Sequence, residues 1–146
     1  MFLLDTNILS ELRKAHHRRT DANFLARSNG LRWADLYLSA ITVYELEVGI
    51  SRLETYDVAQ GKLLREWFSK KVMVQFATRI LPVNTEIALR SAQLQLMRTC
   101  QVEDTLIAAT AHIHRMTLVT RNVGDFESTG VTLFNPFDPI QKETRP

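Results

Sequence analysis

Short apolar runs punctuate the chain, and longer stretches of helical spacing separate them. The runs are Phe2-Leu3-Leu4, Leu36-Tyr37-Leu38, Ile80-Leu81-Pro82-Val83, Thr117-Leu118-Val119 and Val131-Thr132-Leu133-Phe134. None is long enough for a helix, and several are rich in β-forming residues. They do not alternate polar with apolar, which suits strands buried on both faces. Between them, Val43, Leu46, Ile50 and Leu53 make one stripe of helical period, and Leu64, Trp67, Phe68, Val72 and Phe76 make a stronger one. Ala88, Ala92 and Leu96 make a third, and Ile107, Ala108 and Ala111 a fourth. All four stripes read as core, with Trp67 a packing anchor. This order predicts an α/β domain of three layers, α/β/α, with a central parallel sheet of about five strands. Such sheets place sites at the carboxyl edge, where the strand order reverses. The residues to inspect therefore follow strands or open helices.

Composition narrows the classes. At 146 residues, 45% of them hydrophobic and 23% charged, the chain suits one soluble domain with a real core. Cys100 is the only cysteine, which excludes a disulfide scaffold and a zinc ribbon. No apolar run approaches the ~20 residues of a membrane helix. Met1-Phe2-Leu3-Leu4 is too short for a signal peptide, so the expected compartment is the cytoplasm. No phosphate-cradling or dinucleotide-binding glycine motif occurs. Residues 138–146 are polar and end in proline, and read as a loose tail behind a domain of residues 1–137. The net charge of +2 is only a weak lean toward anionic partners. The positive charge is uneven, with Arg13, Lys14, Arg18 and Arg19 in one group and Lys62, Arg65, Lys70 and Lys71 in another. Each group reads either as a solvated helix face or as a phosphate contact.

Four acids stand where a sheet-edge site needs them. Asp5 ends the first run, Glu45 lies early in the helix after the second, Asp104 opens the fourth stripe's helix, and Asp125 follows the fourth run. Each also has a local explanation. Asp5 and Asp125 suit helix caps, Thr42 with Glu45 matches a capping box, and Asp104 complements a helix dipole. Together, however, they would meet at one edge of the sheet. Two carboxylates ~5 Å apart repel by roughly 3 kcal/mol at an effective dielectric of 20. Four acids in one pocket need protonation or a cation, and an oxygen-only donor set suits Mg²⁺ or Mn²⁺. A hard cation held by carboxylates with open water positions is an arrangement for cleaving phosphodiesters. His112 and His114 diverge on their helix, and Cys100 reads as a structural thiol.

The run from Phe2 through Asp5-Thr6-Asn7 to Leu12 resembles the opening of PIN-domain toxins of the VapC/FitB type. Ser39 to Leu46 with Gly49-Ile50 resembles their second motif. Asp104 to Ala111, and then Thr117 to Val123 with Asp125-Phe126, resemble the third and fourth. The likeness runs from Phe2 to about Phe137. It implies a metal-dependent endoribonuclease, the toxin of a toxin–antitoxin pair. Asp5 and Asp104 then correspond to Mg²⁺ or Mn²⁺ ligands, and Glu45 to an acid that holds or orients a water. Asp125 takes the fourth acidic place, with Asn122 a polar helper, and Thr6 and Thr120 orient carboxylates or waters. Arg13, Lys14, Arg18, Arg19 and Arg121 are candidates for the RNA backbone. A VapB-type antitoxin partner and a homodimer are implied as well. DNA would be contacted only through the antitoxin, which would occupy a groove formed by this chain's amphipathic segment Leu64 to Phe76. Two departures from the pattern stand out: Thr99 to Glu103 replaces the proline and small residues usual before the third acid, and His114-Arg115 replaces a His-Gly turn. Two rivals remain. One is a non-catalytic RNA- or partner-binding domain of this fold. The other is an acid-cluster phosphatase, which would want Asp-x-Asp where this chain has Asp5-Thr6-Asn7.

Overall fold

A computed structural model describes residues 1–16, 22, 24, 27, 29–97 and 100–138. Arg18, Arg19, Thr99 and the tail from residue 139 lie outside the described residues. The first apolar run is β1, Phe2–Leu4, followed at once by α1, Thr6–His16. A 3-10 turn at Trp33–Asp35 leads into β2, Leu36–Ser39, and α2, Ala40–Tyr56. Then come α3, Val58–Trp67, a π-helical segment Phe68–Val72, the single turn α4, Met73–Gln75, and β3, Ile80–Leu81. Two consecutive helices, α5, Thr85–Met97, and α6, Val102–Ile113, precede β4, Thr117–Val119. The chain closes with α7, Val123–Phe126, and β5, Leu133–Phe134. All pairings are parallel, in the order β3-β2-β1-β4-β5. The three-layer α/β/α reading holds.

Why the strands carry unbroken apolar runs is visible in their neighbours. Leu3 and Leu118 are fully buried with Ile87, Leu94, Ile107, Ala108 and Phe126, from α5, α6 and α7. Leu4 and Val119, the next residues along, are fully buried with Ile8, Leu9, Ile50, Phe68 and Val72 on the opposite face. Successive strand residues point to opposite faces, so both must be apolar when helices cover both. Each such side chain contributes about 1.5–3 kcal/mol by leaving water.

Two helical expectations need correction. The stripe Ala88, Ala92, Leu96 does not face the core: Ala88 and Ala92 are exposed and Leu96 is 90% exposed. The buried face of α5 is Ile87, Ser91 and Leu94. Nor do Thr42 and Glu45 form a capping box. The cap of α2 is Ser39, whose hydroxyl accepts from the Ile41 N–H at 3.0 Å. Thr42 is already inside the helix and Glu45 sits in its second turn, free of any capping duty. Elsewhere, α2 and α3 cross closely at Gly61, where a Cβ would stand 2.8 Å from the Cα of Glu54. Arg65 of α3 bridges Glu47 and Glu54 of α2 beside that crossing.

Candidate active site

The sheet order reverses between β1 and β4, and the site is built there. Beyond Leu4, the Asp5 N–H donates to the Val119 carbonyl at 2.9 Å, so the β1–β4 ladder runs one residue past the strand. The Thr120 N–H likewise donates to the Phe134 carbonyl at 3.0 Å. These bonds fix the backbone of both residues at the carboxyl edge. Asp5 is 5% exposed, and both its oxygens are held. Oδ1 accepts from the Thr6 N–H, and Oδ2 from the Thr120 hydroxyl, each at 2.8 Å. The Thr120 oxygen in turn accepts from the Asn122 N–H at 3.0 Å. Thr6, opening α1, donates its hydroxyl to Glu45 Oε1 at 2.9 Å and also lies 3.3 Å from the Thr42 hydroxyl. One threonine thereby couples the first strand's acid to the acid of α2.

A pocket of about 440 Å³ opens over these groups. Asp5, Glu45, Asp104 and Asp125 all line it, together with Thr6 and Asn122. The acids come from four separate stretches of chain, and the fold brings all four together. Burial is the main reason that the Asp5 carboxyl lies above its ordinary range, against the lowering effect of its two hydrogen bonds; Asp125 adds repulsion. Glu45 and Asp104 are raised as well, by burial first and then by neighbouring acids, among them Asp5 and Glu103. Neither Asn122 nor Asp125 is a helix cap by side chain. Both stand at the pocket rim, exposed.

The donor set fits a hard divalent cation: carboxylate oxygens, partly desolvated and mutually repelling, beside enough open volume for waters. The carboxylates share the pocket without closing on one point. Among the described residues, no three His, Cys, Asp or Glu side chains stand close enough to grip a single ion. With both Asp5 oxygens already held, gathering the acids on one ion takes rotation of the others toward Asp5.

Four further residues line the pocket that the sequence did not single out for it: Asn7, Cys100, Gln101 and Gly124. Asn7 and Gly124 neighbour named residues in the chain, which was a usable signal. Cys100 had none, because its place at the pocket depends on how α6 packs. Of the basic candidates, Arg121 sits between Thr120 and Asn122, exposed, with its guanidinium 4.4 Å from the Phe137 ring centre. Arg13 is elsewhere. It stacks 5.9 Å from Trp67 and lines a separate cavity of about 320 Å³ with Leu12, Trp33, Lys70 and Lys71. Lys14 pairs with Glu11 at 3.2 Å. His112 and His114 are exposed, away from the pocket lining.

A parallel α/β sheet with an acidic pocket at its switch point is the frame of the PIN domain, and the family model of that domain matches residues 2–131. The chain is 36% identical over 143 residues to Toxin FitB of Neisseria gonorrhoeae, covering 94% of this chain and 99% of that one. It is 33% identical over 147 residues to VapC ribonuclease Y4jK of Sinorhizobium fredii, covering 95% and 99%. Among solved structures, FitAcB from Neisseria gonorrhoeae superimposes with a TM-score of 0.81 at 34% identity, over 94% of this chain and 99% of that chain. FitAB bound to an IR36 DNA fragment superimposes with a TM-score of 0.82 at 34% identity, over 95% and 97%. The chain belongs to the PIN-domain family and stands among its FitB- and VapC-type toxins.

Proposed function

We propose that this chain is a Mg²⁺- or Mn²⁺-dependent endoribonuclease that hydrolyses RNA phosphodiester bonds as the toxin of a toxin–antitoxin pair. The observation that carries it is the convergence of Asp5, Glu45, Asp104 and Asp125 on one pocket, three of them with raised pKa values. A purely structural or binding role gains nothing from such repulsion in a fold stabilised by only ~5–15 kcal/mol. Asp5 and Asp104 would hold the ion, whose chemistry is charge neutralisation at the phosphate and acidification of a water. Thr120 and the Thr6 N–H fix the Asp5 carboxylate so that it needs no rotation to serve. Glu45, tethered at one oxygen by Thr6, keeps the other to orient a water or accept its proton. Asp125 closes the rim with Asn122, and among the described candidates Arg121, exposed and next to Asn122 in the chain, is placed to meet the RNA backbone.

The partner reading follows from the second cavity. Its apolar floor and its rim of Arg13, Lys70 and Lys71 suit an antitoxin segment carrying apolar and acidic residues. A homodimer and a cytoplasmic location complete this reading; no helix among the described residues is long and apolar enough to cross a membrane.

The test compares the wild-type chain with Asp5→Asn and Asp104→Asn on RNA and on an aryl phosphate ester, with Mn²⁺ and with a chelator. RNA cleavage that needs Mn²⁺ and disappears in both variants is the expected result. Cleavage that survives both substitutions rejects the assignment, and phosphate release without RNA cleavage favours the phosphatase.

A further inference from the structure

The seam between α5 and α6 is apolar at Ile87, Leu94, Ile107 and Ala108, yet it contains a buried polar clasp. Ser91 and Thr105 are 5% and 2% exposed. The Ser91 hydroxyl donates to Thr105 Oγ1 at 2.9 Å. The single Thr105 proton is shared between the Val102 carbonyl at 2.8 Å and Gln95 Oε1 at 3.2 Å. Gln95 uses its other end as well: Nε2 donates to the Cys100 carbonyl at 2.7 Å. One side chain of α5 thus grips both Cys100, two residues ahead of α6, and a residue in its first turn. Ser91 and Thr105 could be replaced by apolar groups of the same shape at little cost, so burial alone does not call for the clasp. What it adds is a fixed register.

The segment it fixes is the one that delivers Cys100, Gln101 and Asp104 to the acidic pocket. Asp5 is locked by hydrogen bonds to both oxygens. The Asp104 side chain accepts none among the described residues, so its position is set by the backbone beneath it. We infer that Gln95 is a positioning residue for the acidic pocket: it sets where Asp104 stands relative to Asp5 and Glu45. The inference rests on the metal-dependent reading above.

Gln95→Met keeps length and volume while removing both bonds, and Ser91→Ala disturbs the same seam but leaves the Gln95–Cys100 bond in place. In the metal-free chain, Gln95→Met speeds hydrogen exchange at the amides of residues 103–106. Its Mn²⁺ affinity, measured by titration calorimetry, falls about tenfold or more, as when outer partners of metal ligands are lost. Ser91→Ala lowers the melting temperature without that loss of affinity. At saturating Mn²⁺, Gln95→Met recovers most of its RNA cleavage, which marks weakened ion capture rather than altered chemistry. Unchanged Mn²⁺ affinity in Gln95→Met overturns the inference, whatever the exchange data show. Equal affinity loss in Ser91→Ala overturns it too, by reducing Gln95 to ordinary packing. Absence of Mn²⁺ uptake by the wild-type chain sinks the nuclease reading itself, and this inference with it.

Discussion

The acidic pocket and the tryptophan-lined groove are unfinished in opposite ways. The pocket holds like charges that repel one another at the end of a parallel sheet. The groove, between α1 and the α3–α4 segment, leaves aromatic surface beside cations, with Trp33 still 51% exposed. One region lacks positive charge, the other lacks apolar and negative cover. The π-helical segment Phe68–Val72 belongs to the groove: it buries Phe68 and Val72 while setting Lys70 and Lys71 at the rim. Such segments often mark functional surfaces. Under the proposed function the contrast separates two jobs, cutting and partner binding, and α2 and α3 link the two regions through the close crossing at Gly61.

The sharpest break in that contrast comes from the pocket. Asp5→Asn or Asp104→Asn should lower Mn²⁺-dependent RNA cleavage at least about a hundredfold, the order seen when one electrostatic partner of a transition state is removed; single-turnover rates check this. At the groove, Lys70→Glu with Lys71→Glu should slow association with an acidic antitoxin segment about tenfold at low salt. Stopped-flow traces in which the slowing persists undiminished at 1 M salt would contradict the charge argument. Thr120→Val strips Asp5 Oδ2 of its donor and should cost ~1–3 kcal/mol in denaturant unfolding, because a buried polar atom loses its partner. Gly61→Ala should destabilise by ~1–3 kcal/mol of overpacking, offset in part by helix propensity worth about 1 kcal/mol. A higher melting temperature in that variant would show that the α2–α3 crossing can relax.

The smallest effect concerns pH. Asp5, Glu45 and Asp104 have raised pKa values in the fold, so the folded state binds their protons more tightly than the unfolded chain does. That contribution to stability is complete below the ordinary carboxylate range and is lost as pH rises through the raised values. Asp104→Asn should therefore raise the melting temperature of the metal-free chain by a few degrees at pH 7 and by less at pH 4. Calorimetry at the two pH values decides it, and an equal shift at both would exclude relief of a buried and repelled charge as the cause.

What the sequence made legible follows from how local each signal was. Strands buried on both faces leave unbroken apolar runs, so Phe2–Leu4 and Thr117–Val119 could be placed without any partner in view. Parallel topology then led to the switch point, and from there to Asp5, Glu45, Asp104 and Asp125. The α5 face was misread because its buried side includes Ser91, whose polarity makes sense only opposite Thr105. Capping was misread because Ser39 and Thr42 offer equivalent hydroxyls three residues apart, and only the end of β2 decides between them. Cys100 reached the pocket through packing that no short-range pattern records.

The bond from Thr120 to Asp5 spans 115 residues. A ribosome that has released only the first two strands has therefore made the opening acid and the Thr6 N–H beside it, but not the Thr120 hydroxyl or the strand that complete its grip. Under the proposed function, the pocket is complete only late in synthesis, after β4 has slotted in beside β1, so the emerging polypeptide holds its opening acid long before the means to use it.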